Sequence, residues 1–358
     1  MIAEAAVLNT PDLLPPDLLP PPTLPPASSR ASEPPPMESQ TLRAALWMLA
    51  GAVSFALMGS FTHALGPRCD WLVVALTRAV FMLGSSWVLA RSAGVRLVVV
   101  RPPILWVRSL AGSVSLVCNF YAISRLPVAD ALTLTSMYPL WIVVISAFVL
   151  RRAPSGTEVL GMASGLIGVA LIQRPHLGGD RLATIVAVFS SATTAVALMG
   201  LHRLRNVDTR AVVAHFAGVG TLVAGAWLLI RSVRGGAPVL PLDPVTLAML
   251  AGVAVSGTIG QICLTRAYAL GVPTRIAVIG LSQVAFAMAF DVWVWGRVLT
   301  PMTLLGFAFV LAPTALLTAV ARRRLADVAQ PSPASEPSPP APVEDDPHAL
   351  PVVARASD

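Results

Sequence analysis

The sequence contains no lysine, although 25 of its 358 residues are basic, so every one of these cations is an arginine. A Walker A phosphate-binding loop needs a lysine, so its absence excludes ATP-driven work by this chain. Schiff-base chemistry with retinal or pyridoxal phosphate also needs a lysine amine and is excluded for the same reason. We therefore expect a protein that uses neither of these energy or cofactor systems.

Cysteines and catalytic motifs are also scarce. The three cysteines, Cys69, Cys118 and Cys263, form no CxxC pair, and the last two lie inside apolar runs, where a thiol behaves as a small hydrophobic group. The chain has no HExxH or GxSxG motif and no cluster of His and Asp residues. We therefore predict no metal site, no cofactor and no enzymatic activity.

The residues that are abundant are apolar. Hydrophobic residues make up 55% of the chain, its mean hydropathy is +0.74, and only 12% is charged, against about 25% in soluble proteins. A pI near 10.5 might suggest nucleic acid, but the arginines are scattered between apolar runs rather than gathered on one face. The composition predicts a lipid bilayer as the partner and no nucleic acid.

Ten apolar segments follow one another along the chain, and most reach the roughly 20 residues that cross a bilayer. We predict an all-α polytopic membrane protein in which each segment is a transmembrane helix. The fifth segment is the shortest, and a buried helix is its alternative. The segments are 43–65, 71–90, 104–123, 128–150, 157–173, 182–201, 211–230, 245–264, 276–295 and 301–320.

The two ends of the chain differ from this middle. Residues 1–41 are rich in proline and residues 321–358 in Pro, Ala and Ser, so we predict disordered tails and no signal peptide. With the N-terminus in the cytoplasm, 13 arginines flank the inner ends of the segments and 7 the outer ends. The positive-inside rule then predicts cytoplasmic termini. We expect the protein in the cytoplasmic (inner) membrane of a bacterium.

An internal repeat relates the two halves. A shift of 145 residues places Gly112 on Gly257 and Cys118 on Cys263, and it aligns "LRRAPSGTEVLG" with "WGRVLTPMTLLG". We predict two five-helix repeats, at 42–173 and 182–320. Because five is odd, the second repeat enters the membrane inverted, which is typical of secondary transporters.

The stretch "RSLAGSVSLVCNFYAISRLPVADALTLTSMYPLWIVVISAFVLRR" and the following "EVLGMASGLIGVALI" resemble the EamA-type members of the drug/metabolite transporter superfamily. The resemblance covers residues 43–320 and implies ten helices, a central cavity and secondary transport of small metabolites. Family members usually carry a glutamate in an "LGE" pattern at the end of the fourth and ninth helices. This chain has Arg152 and Arg297 there, so the role of that glutamate does not carry over.

A substrate site is predicted near the middle of the membrane. Pro139 lies at the midpoint of the fourth helix, where it frees a carbonyl group that a cavity or neighbouring protein must satisfy. Polar and aromatic residues share its face and the matching part of the ninth helix, with Asn119 in the third. A packing kink, with hydroxyl groups bonded back to their own helix, is the alternative. The predicted substrate-binding residues are Asn119, Thr135, Tyr138, Trp141, Ser282, Gln283 and Phe286.

Charged residues inside the apolar segments are candidates for gating or coupling. Arg78 and Asp291 lie at similar depth in the outer half, so we predict that they pair, directly or through the substrate; separate snorkelling to the headgroups is the alternative. Asp130 is a candidate for proton coupling, although an acid in a first helical turn also stabilises the helix dipole. Arg108 and Arg266 lie near helix ends, where we expect them to snorkel.

These patterns favour a secondary transporter of a small organic solute. A membrane-embedded enzyme and a receptor or scaffold are the alternatives, the second because Pro-rich tails bind partners. The Gly161-x-x-x-Gly165 pattern allows close helix contact and gives weak support to a homodimer.

Overall fold

A computed structural model describes residues 37–95, 97, 102–126, 128–149, 151, 153–174, 180–234, 243–296 and 298–329. The chain divides into two units, Met1–Met37 and Glu38–Asp358. Of the first unit only Met37 is described, and the site described below belongs to the second. The predicted disordered tails lie outside the described residues at 1–36 and 330–358, as do Arg152 and Arg297.

The described chain is all-helical. Its helices are α1 (Met37–Leu65), α2 (Trp71–Ser92), α3 (Ile104–Arg125), α4 (Val128–Thr135), α5 (Tyr138–Val149), α6 (Gly156–Gln173), α7 (Arg181–Arg203), α8 (Thr209–Val233), α9 (Pro244–Leu270), α10 (Pro273–Gly280), α11 (Ser282–Trp295) and α12 (Pro301–Ala329). Within the described residues, nine helical spans are long and apolar enough to cross a membrane, and α4–α5 and α10–α11 each form one of them. The protein is therefore a polytopic membrane protein.

Two details differ from the sequence prediction. The third predicted span forms helix α3, but its apolar part, Ile104–Asn119, is shorter than the nine other spans. Helices α1 and α12 extend into the predicted tails, at 37–41 and 321–329, because both stretches contain good helix formers, Met, Glu and Gln in the first and Ala, Arg and Leu in the second.

Two spans are interrupted near their middle. Between α4 and α5 the chain makes a turn at Ser136 and Met137, just before Pro139, and the Ser136 amide still donates to the Leu132 carbonyl at 2.9 Å. Between α10 and α11 the interruption is at Leu281, in a stretch without proline. Interrupted helices are tolerated in membranes where surrounding protein satisfies the freed backbone groups.

Helices α6 and α12 cross at close range because both carry glycines at the crossing. A Cβ added to Gly168 would lie 2.7 Å from the Gly306 carbonyl oxygen, and one added to Gly306 would lie 2.8 Å from that of Gly168. The Ser164 hydroxyl donates to the Phe309 carbonyl at 2.8 Å across the same interface. Small residues and interhelical hydrogen bonds are what hold helices together in lipid. Gly161 and Gly165, the glycines behind the homodimer prediction, face neighbouring helices of the same chain. They therefore give no support to a homodimer.

Aspartates cap the N-termini of four helices, α2, α7, α8 and α9. The Asp70 carboxylate accepts from the Leu72 amide at 2.9 Å, and the Asp180 and Asp208 carboxylates cap α7 and α8 in the same way. Asp243 caps α9, and the hydrogen bonds from the Thr246 hydroxyl and amide lower the pKa of its carboxyl group. These acids therefore serve the helix ends.

A buried carboxylate joins α6 to α10. Glu158 is 1% exposed and its side chain bonds back to Ser155 in a capping box. Its Oε1 also accepts from Arg275 Nε at 2.8 Å, and its Oε2 accepts from the Thr274 hydroxyl at 2.8 Å. These contacts make Glu158 a link between the first and second repeats.

Candidate functional site: a cavity with two arginines

A cavity of about 280 Å³ lies between seven helices, three from the first half of the chain and four from the second. Its lining combines aromatic and aliphatic side chains with amides, hydroxyls and two guanidinium groups. The residues that line it are Phe55, Met58, Arg78, Arg108, Gly112, Ser115, Leu116, Asn119, Thr194, Ala197, Leu198, Phe216, Gln261, Leu264 and Gln283.

Arg108 lies inside the protein, so the expectation that it snorkels to the membrane edge is wrong. It is 3% exposed, and its guanidinium carbon lies 3.9 Å from the centre of the Phe216 ring. Gly200 of α7 leaves room for the stem of Arg108, since a Cβ there would come within 2.9 Å of Arg108 Cβ. Among the described residues, its Nε and one Nη have no hydrogen-bond partner. The side chain is thus held in place while donors on two of its three nitrogens stay unsatisfied.

The next residue along α3 fixes this helix against α8. The Ser109 hydroxyl and His215 Nδ1 are 2.8 Å apart, and the His215 and Trp106 rings form a T-shaped pair with centroids 4.5 Å apart. His215 precedes Phe216, on whose ring Arg108 rests. The Ser109–His215 contact therefore helps to position the Phe216 ring against the Arg108 guanidinium.

Arg78 reaches the cavity from α2. Its guanidinium carbon lies 5.9 Å from the centre of the Phe55 ring, and its Nε has no hydrogen-bond partner in the described chain. It passes close to Gly257, where an added Cβ would lie 2.9 Å from Arg78 Nε. Gly112 has the corresponding place opposite Phe216, with 2.9 Å from an added Cβ to the ring. The two glycines matched by the sequence repeat thus make room for side chains of the cavity wall.

Hydroxyl groups link α3 to α7 along one side of the cavity. Ser115 Oγ lies 2.5 Å from Thr194 Oγ1 and 3.2 Å from the Ser190 carbonyl oxygen. In return, the Ser190 hydroxyl donates to the Ser115 carbonyl at 2.9 Å. Since these hydroxyls satisfy one another, this wall is rigid and presents few free donors.

The structure brings three of the predicted site residues to this cavity, namely Asn119, Gln283 and Arg78. Arg266, also expected to snorkel, stacks its guanidinium 4.7 Å from the centre of the Trp47 ring and does not line the cavity. Asp130 is buried in the first turn of α4, and Asp291 is half-buried in α11; neither lines the cavity.

The remaining predicted residues pack elsewhere. The Thr135 hydroxyl donates to the Ala131 carbonyl at 2.9 Å, and the Trp141 indole donates to the Ser191 hydroxyl at 2.9 Å. Tyr138 packs on the large hydrophobic core, with its hydroxyl against Gly280. Their role in substrate binding stays a prediction.

The two predicted residues on α11 outside the cavity lining are Ser282 and Phe286. Ser282 is fully buried, and its hydroxyl has no partner among the described residues. Phe286 is half-buried. Among the described ion pairs none joins Arg78 to Asp291, so pairing through a bound substrate stays a prediction.

Sequence reasoning missed most of the cavity wall, although one signal was present. Arg108, Gly112, Ser115 and Asn119 recur at spacings of four, three and four residues, which places them on one face of α3. A stripe of small and polar residues on an otherwise apolar helix marks the face turned away from lipid. The contributions of Phe55, Phe216 and Gln261 carry no such local signal.

A helical membrane protein with a cavity lined by helices from both halves of the chain matches the architecture expected of a transporter. The sequence profile of the EamA-like transporter family matches the chain twice, over residues 42–174 and 179–319. The chain therefore belongs to this family, within the drug/metabolite transporter superfamily, and contains two EamA repeats.

Curated relatives agree with this assignment. The pseudopaline exporter CntI of Pseudomonas aeruginosa (strain UCBPP-PA14) is 29% identical over 276 residues, which cover 72% of this chain and 93% of that protein. Human solute carrier family 35 member G1 is 25% identical over 228 residues, which cover 58% of this chain and 60% of that protein. A crystal structure of another protein superposes with a TM-score of 0.67 at 19% identity, covering 78% of this chain and 98% of the other, which shows the fold alone.

Proposed function

We propose that this protein is a secondary transporter that moves a small organic metabolite across the bacterial cytoplasmic membrane by alternating access. The observation that carries the proposal is the cavity, because both repeats contribute to its wall. A site formed between two repeats is exposed to one side or the other when the repeats rock against each other. A cavity of about 280 Å³ suits a small metabolite.

The proposal includes ten spans, with α3 as the tenth, arranged as two inverted five-helix repeats. Contacts that occur in matched pairs support this arrangement. Ser164 and Phe309, which bond across α6 and α12, stand 145 residues apart, which is the shift of the sequence repeat. The cavity wall also contains Leu116 together with its match Gln261, and Asn119 together with its match Leu264. A two-fold axis through the α6–α12 crossing and the cavity would produce both sets.

We propose export as the direction of transport, because the relative that shares 93% of its length with this chain is named an exporter. The excess of arginines at one set of segment ends supports cytoplasmic termini. Asp130 and Asp291 remain candidates for coupling or gating. A chain that works as an enzyme or scaffold instead would move no solute.

A pair of variants on one helix tests the proposal. Leu116→Trp fills the cavity from α3. Val114 lies on the same helix but is 43% exposed on the surface of the protein, so Val114→Trp adds the same ring outside the cavity. Untargeted mass spectrometry compares the media of cells that express each form at equal membrane levels. We expect one or more metabolites to accumulate outside with the unaltered chain and Val114→Trp, and not with Leu116→Trp. Identical media for all three and for an empty vector would contradict transport.

A further inference from the structure

The cavity holds two cations and no described acid. Arg78 and Arg108 both line it, and none of its other described lining residues is ionisable. Arginine stays protonated in proteins, so both guanidinium groups carry their charge there. Ionisable groups within the membrane-spanning part are costly and usually face a partner or a functional pathway.

The groups around these cations compensate them only in part. The Phe55 and Phe216 rings offer their faces, at 5.9 Å and 3.9 Å from the two guanidinium carbons. An aromatic face accepts no strong N–H hydrogen bond, and Arg78 Nε, Arg108 Nε and one Nη of Arg108 have no acceptor among the described residues. Two like charges in one cavity also repel each other.

One kind of ligand would remove both the lack of acceptors and the repulsion between the two arginines. An oxygen anion accepts the free N–H groups, and its charge offsets the repulsion between the arginines. We propose that the transported metabolite is an organic anion whose carboxylate or phosphate group binds between Arg78 and Arg108. This inference rests on the proposed transport function and specifies its substrate class.

The other lining residues indicate which chemical groups the rest of such a metabolite carries. Asn119, Gln261 and Gln283 bring uncharged amides to the cavity, which donate and accept hydrogen bonds without adding charge. Phe55 and Phe216 each lie against one of the two guanidinium groups. A compact molecule with one acidic group and further neutral polar groups fits this distribution.

Charge-matched variants in the transport screen test the inference. Arg78→Gln and Arg108→Gln remove one cation each, whereas Arg78→Lys and Arg108→Lys keep the charge with fewer donors. Arg266→Gln is the control, since Arg266 stacks on Trp47 and does not line the cavity. All forms are compared at equal membrane expression by untargeted mass spectrometry of the medium, and the ionisable groups of each exported compound are assigned.

We expect the exported compounds to carry a carboxylate or phosphate, and each Gln variant to export at least about tenfold less, as loss of a charged hydrogen-bond partner implies. The Lys variants should retain part of the export and Arg266→Gln all of it. Export of neutral or cationic compounds only, or undiminished export by both Gln variants, would overturn the inference while leaving transport intact. A medium unchanged by the unaltered chain would instead overturn the transport function itself.

Discussion

Replacement of Glu158 by Gln tests the link between the two repeats. Gln has nearly the same size as Glu, so the change removes the charge without opening a cavity. The Glu158 carboxylate accepts from Arg275 Nε and from the Thr274 hydroxyl, each at 2.8 Å. A neutral amide offers one oxygen where the carboxylate offers two, so one of the two donors loses its acceptor.

The size of the effect follows from the burial of the two partners. A hydrogen bond to a charged group contributes about 1.5–3 kcal/mol, and breaking a fully buried ion pair costs about 3–5 kcal/mol. Glu158 is 1% exposed, but the side chain of Arg275 is 33% exposed, so water solvates part of the charge left behind. We therefore expect Glu158→Gln to lower the free energy of unfolding by about 2 kcal/mol.

Thermal unfolding of the purified protein in mild detergent measures this change. Arg275→Gln should destabilise by a similar amount, and the double variant should be less destabilised than the sum of the two, because the two residues share one interaction. An unchanged stability of Glu158→Gln, or strictly additive single variants, would refute the link.

Three further predictions concern packing, the cavity and topology. Gly168→Ala should lower the free energy of unfolding by about 1–3 kcal/mol, as overpacking does, whereas Gly218→Ala, with open space around it, should not. Thermal unfolding compares the two variants, and equal stabilities would contradict the close crossing of α6 and α12. Gln283→Ala should reduce transport at unchanged expression, since it removes a cavity amide, whereas Tyr138→Ala should reduce the amount of folded protein. Export and membrane abundance distinguish the two effects. Reduced abundance of both variants would count against a role of Gln283 in the cavity. Single cysteines in a cysteine-free chain should be labelled from the cytoplasm at 93 and 205 and from outside at 178 and 236; labelling of 93 and 205 from opposite sides would disprove the ten-span arrangement.

Much of the fold could be predicted from sequence because lipid imposes a simple rule on helix length and polarity. The nine long apolar spans of the described chain follow from that rule. The interruption near Pro139 has a local chemical cause, but the one at Leu281 has none in the residues around it. It depends on packing between helices distant in sequence.

The candidate site was harder to predict, because sequence gives the depth of a residue but not which neighbour its helix face meets. Thr135, Tyr138 and Trp141 do share one region of the chain, yet Trp141 bonds to Ser191 on α7 instead of lining the cavity. Arg108 lies near a helix end, as a snorkelling arginine does, but α7 and α8 cover it. Only the packing of those helices determines that its charge faces inward.

Transport by the purified protein in lipid vesicles tests the central claim most directly. Vesicles loaded with a carboxylate or phosphate metabolite found in the export screen are diluted into its labelled form, without ATP. We predict that vesicles with the unaltered chain accumulate label by exchange and that vesicles with Leu116→Trp do not. Accumulation no greater than in protein-free vesicles would contradict the account.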